Sequence, residues 1–177
     1  MEQNELRQKL TEAYNVFIST VRKLPDAEFV LSTNGKWAGG QQLAHIIKSV
    51  SPVNFAFALP DFVLKMAFGK ANRPSRTYQQ LVEKYQGKLA QGGKAPKQFV
   101  PKSVTLNQRE VLIKKLEKLI ATLNKRIDRL SEKQLDELLL PHPLMGKLTF
   151  REMIYFTIYH SQHHEKQITA NLKNQNT

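Results

Sequence analysis

The chain has no cysteine in 177 residues, one tryptophan and five histidines. The missing cysteine excludes disulfide staples and thiolate metal ligands, and fits a cytoplasmic protein. Any metal must therefore be held by histidine, carboxylate or water. No stretch approaches the ~18 consecutive apolar residues of a membrane-spanning helix, so no membrane span is expected. The opening, MEQNELRQKL, is polar and already helical in pattern, unlike a secretory signal. Acids are scarce too, 15 against 27 Lys and Arg, for a net charge of +12. A chain of this length can bury a continuous core unaided, and a single domain over 1–177 is expected.

Most of the excess charge is local. Lys65, Lys70, Arg73, Arg76, Lys84, Lys88, Lys94, Lys97 and Lys102 are opposed only by Glu83, nine cations against one acid, or +8 within residues 65–102. Such a segment can serve an acidic partner, an anionic surface or an anionic small molecule, or simply form a solvated basic face. The cations are not interleaved with stacking aromatics, and no helix-turn-helix or RNA-binding signature is present, so nucleic acid is not the expected partner.

Apolar spacing predicts helices throughout. Residues 3–23 carry Leu6, Leu10, Ala13, Tyr14, Phe17, Ile18 and Val21 on one face and stop at Leu24-Pro25. Residues 40–58 carry Leu43, Ile46, Ile47, Val50 and Val53, with a bend or break expected at Pro52. Residues 106–130 set Leu112, Leu116, Leu119, Ile120, Leu123, Ile127 and Leu130 against a lysine-rich opposite face. The last helix, 150–172, opens on a capping box, Thr149 at the N-cap and Glu152 three residues on. Ser131 and Gln134 form a second box, starting a short helix that runs out at Pro141-His142-Pro143, and 77–90 reads as another short helix. No segment alternates with period two over strand length. The expected fold is all-α, a four-helix bundle with a long crossover between its second and third helices.

Three of the five histidines fall in HSQHH on the last helix. His160 and His164, at i and i+4, project from one helical face and can reach one ion. Met153, Thr157 and Ile168 share that face, which should turn inward, where an unpaired imidazole is costly. His163 is about 100° around the axis from His164 and cannot share the same ion. Without the intervening Glu of an H-E-x-x-H pattern, the pair on its own also fits packed histidines.

The residues carry a resemblance. Trp37 followed by Gln41-Gln42-Leu43-Ala44-His45-Ile46 is similar to the second-helix signature of the DinB-like (YfiT-like) superfamily of metal-dependent enzymes. The run from His142 to Thr149, then Glu152 and the helix carrying HSQHHEKQI, resembles that superfamily's last loop and helix, so that the likeness spans roughly residues 3–170. One departure is Lys166, where many members carry a small residue.

The resemblance implies a metal triad of His45, His160 and His164, with zinc or nickel as the ion. It further implies an enzyme acting on a small molecule, a thiol-dependent S-transferase using a low-molecular-weight thiol or a hydrolase, and often a homodimer. Three neutral histidines with open positions describe a catalytic rather than a structural site. For the remaining residues, Trp37 is expected to anchor packing and His163 to be exposed or to lie just outside the ligands. His142 reads as a loop constraint or a contact near the pocket. Tyr155, Tyr159 and His163 are candidate bases. Phe55, Phe57, Phe62 and Phe68 offer either a self-association surface or a cap on the bundle's own core. The alternative from another class is a non-enzymatic basic bundle that binds an acidic partner without a functional metal.

Overall fold

The computed structural model describes residues 1–32 and 35–173. Four long helices dominate it: α1 (Gln3–Arg22), α3 (Gly39–Ala56), α6 (Arg109–Ile127) and α8 (Phe150–Lys173). Shorter elements fill the connections: α2 (Asp26–Val30), α4 (Asp61–Phe68), α5 (Tyr78–Ala90), α7 (Glu132–Glu137), and strands β1 (Leu139–His142) and β2 (Gly146–Thr149). The all-α expectation holds.

Around the bundle, α1 packs on α8 and α6, and α3 packs on the same two. Cross-helix bonds give the directions. Tyr14 donates to the Thr157 carbonyl and Thr20 to Glu165, so α1 and α8 run parallel. Arg7 pairs with Asp128 and Arg22 with Glu117, so α6 opposes α1. Gln42 meets Gln167 while His45 meets His160, so α3 opposes α8. The order is up-down-down-up. Two consecutive bundle helices pointing the same way need a crossover, and residues 57–108 supply it through α4 and α5.

The buried residues of α1 and α3 are those their apolar spacing predicts. In α6 the inward stripe starts at Ile113 rather than Leu112, then follows Leu116, Ile120, Leu123 and Ile127. Leu112 and Leu119 only flank it, and the first turn of the predicted helix is a 3₁₀ turn over Leu106–Gln108. Helix α3 is not broken at Pro52 but continues to Ala56. α2 lies against the start of α3, where the Phe29 carbonyl comes within 2.9 Å of any Cβ placed on Gly40. Only glycine permits that approach.

Both capping boxes form: the Glu152 N–H donates to Thr149 Oγ1 and the Gln134 N–H to Ser131 Oγ, 3.2 Å each. The hairpin is a departure from the sequence reading. Leu139 pairs with Thr149 and His142 with Gly146, whose φ of 75° turns the chain. Strands of four residues, the first with adjoining leucines and a proline, are too short to show an alternation. Among the described residues, no single helix is long and apolar enough to cross a membrane.

Candidate metal centre

The antiparallel α3/α8 contact sets the site. His160 and His164 lie one turn apart on the inward face of α8, and His45 faces them from α3. All three are buried, at 4–5% exposure. Their Nε2 atoms converge: His160 Nε2 is 3.2 Å from that of His45 and 3.0 Å from that of His164. One ring nitrogen from each lies within 4.8 Å of the others.

The opposite edges of two rings are already committed. His45 Nδ1 is 2.8 Å from the Phe99 carbonyl, and His164 Nδ1 lies against Gln42 Oε1. Both partners only accept, so both Nδ1 atoms carry the proton and both Nε2 atoms present lone pairs. His160 can offer a single N–H to two such neighbours. A shared cation would satisfy all three. Two of the nitrogen separations are close to the ~3.3 Å that ~2.05 Å bonds to a tetrahedral ion require. The donor set therefore fits a divalent ion.

Behind the rings runs a chain of amides. Gln42, buried on α3, donates to Gln167 Oε1 at 3.2 Å, and Gln167 donates to His163 Nε2 at 2.9 Å. Hydrogen bonds of this kind fix ring orientation and tautomer. Burial holds all three triad rings below the usual histidine range. The neighbouring histidines add to this for His160 and His164. At neutral pH they stand as neutral bases, the form that binds metal.

The triad forms part of the wall of a cleft of about 1000 Å³. Trp37 lines it while stacking on His164 at 6.3 Å and tilting against His45 at 4.9 Å, so it does more than anchor the start of α3. His142 also lines the cleft. Its Nδ1 accepts the N–H groups of Leu144 and Met145 at 3.2 and 3.3 Å, which makes it both the constraint on the hairpin turn and a cleft residue whose Nε2–H has no partner among the described residues. Burial, then the nearby Lys84, pushes His142 down to about 4. The Phe156 ring sits between His142 and His160, 4.3 and 4.8 Å from their rings.

Of the three candidate bases, His163 lines the cleft, but its Nε2 already takes the Gln167 N–H. Tyr155 is elsewhere, on a second cleft with Arg73, Arg76 and Arg151. Tyr159 accepts from Gln86 at 2.8 Å.

Sequence reading missed the roles of Phe99 and Gln42. The Phe99 carbonyl reaches His45 from a 3₁₀ turn in the basic connection, strapped down by Lys48 Nζ donating to the Val100 carbonyl at 2.7 Å. A backbone carbonyl leaves no mark in sequence. Gln42 was visible, one turn before His45 on the same helix. Glu152 carries more than its cap. It is fully buried, takes Arg73 at 2.6 and 2.8 Å, and bonds the Arg76 N–H and guanidinium. Burial pushes its carboxyl up, and these donors outweigh that and hold it below the usual range.

A family model of the DinB superfamily matches residues 9–168. The chain belongs to the DinB superfamily. Its histidine cluster thus sits in a fold associated with metal. The DinB bundle is also similar to the crystal structure of an uncharacterized protein from Clostridium difficile 630. That match has TM-score 0.59 and 14% identity, and covers 98% of this chain and 96% of the other. At that identity the likeness shows the fold alone. No curated protein matches the chain.

Proposed function

We propose that this protein is a divalent-metal-dependent enzyme whose ion is held by His45, His160 and His164. It acts on a small molecule, as a thiol-dependent S-transferase or as a hydrolase. The observation that carries this reading is the meeting of three buried Nε2 atoms, two of them fixed as lone-pair donors, at the wall of a ligand-sized cleft. Zinc or nickel suits a set of neutral imidazoles. A bound ion supplies Lewis acidity, lowering the pKa of a coordinated water or thiol.

The chain's own residues do the rest. The Phe99 carbonyl and Gln42 keep the His45 and His164 rings in the tautomer that exposes Nε2. Trp37 and Phe156 shield the cluster with aromatic faces. His142 Nε2–H is placed to donate to a substrate oxygen in the cleft. In the same reading residues 1–177 are one domain, cytoplasmic, and homodimeric through the outward Phe62.

Metal analysis of untagged protein tests the proposal. We expect a stoichiometric divalent ion in the wild type and none in His160→Ala, together with loss of free thiol when a low-molecular-weight thiol and an electrophilic acceptor are added to the loaded protein. Wild-type protein that is stable, metal-free and unable to rebind zinc or nickel would favour the non-enzymatic bundle instead.

A further inference from the structure

The cleft is polarised along its length. Because α3 and α8 run antiparallel, Gln42 is level with Gln167, His45 with His160 and His164, and later α3 positions with earlier α8 positions. On one side of the triad the lining residues are Lys36, Trp37, His163, Gln167 and Asn171. On the other they are Val53, Ala56, Leu59, Phe68, Leu140 and Met153, contributed by α3, α4, β1 and α8. The first end offers amides, an ammonium and an imidazole. Past the Ser49 hydroxyl, which donates to the His45 carbonyl, and the His142 imidazole, the second offers hydrocarbon and a thioether. Among the described residues no acid lines either end, and the histidines stand at the boundary.

An interior wall of this kind does not favour a charged or strongly hydrated ligand, since desolvating it would go uncompensated. It favours aliphatic or aromatic surface removed from water. We infer that the second end binds the apolar, uncharged body of the substrate, placing that substrate's reacting polar group at the triad, with the polar end left for a hydrophilic co-substrate. The enzyme's acceptor is accordingly an amphipathic small molecule with a hydrocarbon tail, not a compact polar metabolite. This rests on the metal-dependent reading of the same cleft, but the binding it asserts needs no ion.

Straight-chain primary alcohols from butanol to decanol, titrated calorimetrically into full-length protein in a chelator, test it. These probes are neutral and do not depend on metal. Each added methylene should tighten Kd by up to about fourfold until the apolar end is filled. Leu59→Glu, which puts a carboxylate at a half-buried position of that end, should abolish the chain-length dependence. Phe55→Glu, at a cleft residue 67% exposed and so without consequence for folding, should weaken the long-chain alcohols at least tenfold. Affinities independent of chain length, or a full series retained in both variants, would overturn the inference. The metal content of untagged protein, measured separately, reports on the triad whichever way this series falls.

Discussion

Gln42 is 2% exposed and ties three residues together, accepting from His164 and donating to Gln167, which in turn donates to His163. Removing it leaves His164 free to rotate or to protonate the wrong nitrogen. Partners of this kind typically account for 10–100-fold in metal affinity. Gln42→Ala should therefore weaken zinc binding by about that factor in competition against a chromophoric chelator, with the helical circular dichroism signal unchanged. An unaltered affinity would mean that the amide chain does not position the ligand. The effect should be far smaller than that of His160→Ala, which removes a ligand outright.

At the scale of elements, Glu152 joins the crossover to α8. It caps α8 through Thr149, and the same carboxylate holds Arg73 and Arg76 just ahead of α5. Arg151, beside it, is paired with Asp136 and Glu132, fastening α7 to the same end of α8. Glu152→Ala removes the cap and strands two partly buried guanidiniums. Losing one partner of a buried pair costs about 3–5 kcal/mol. We expect a loss near the lower end of that range in urea unfolding, ~3 kcal/mol, because both arginines retain some water. A loss under ~1 kcal/mol would show that the pair contributes no more than a surface bridge. Part of the basic segment is thus not a solvated face: Arg73 and Arg76 turn onto Glu152, and Lys84 donates to the Met145 carbonyl at 2.7 Å.

For the molecule as a whole, buried neutral histidines set the dependence on pH. His142 is held at about 4, and His160 and His164 well below their usual range, all first by burial. Between those values and the unfolded histidine pKa of ~6.5, the unfolded chain binds more protons than the folded one. Stability is therefore complete above pH ~6.5 and declines as pH falls toward the folded values. Glu152 and Asp136, both held below the usual carboxylate range, add a second loss at more acidic pH, as they are protonated. Thermal melts of chelated protein should show a midpoint falling steadily from pH 7 to 4.5, and more steeply with zinc present, because protons then compete with the ion. A flat midpoint across that range would contradict the burial of these rings.

Association is the other property of the whole molecule. Of the four phenylalanines flanking the crossover, Phe57 turns inward onto Phe150 at 4.0 Å and Phe68 packs on the core. Phe55 lines the cleft, while Phe62 and Met66, one turn apart on α4, are 68% and 81% exposed. Contiguous exposed apolar groups of this size commonly mark an interface. Sedimentation at micromolar concentration should give twice the 20.3 kDa chain mass, and Phe62→Glu should return it to the monomer. A wild-type monomer would remove the dimer from the proposal.

By itself the sequence determined the four long helices, because each carries a continuous apolar stripe, and the starts of α7 and α8, where a capping box is satisfied by local hydrogen bonding alone. It also determined that His160 and His164 share a face, since i and i+4 on a helix are neighbours whatever surrounds them. The order of the bundle, the hairpin and the short α2 and α4 lay beyond it: the short elements have too few residues for a period to show, and the order of the bundle is set by packing between distant parts of the chain. The inward face of α6 was one residue off at its start, because Leu112 and Ile113 are equally apolar and only packing chose between them. Most of the candidate centre was decided by tertiary structure. The meeting of His45 with the α8 pair needs α3 and α8 to be antiparallel neighbours, and the Phe99 carbonyl that fixes the His45 tautomer comes from a loop 54 residues away. Periodicity records which side of a helix faces inward. Which other helix stands there, and at what level, depends on how all the apolar faces close together.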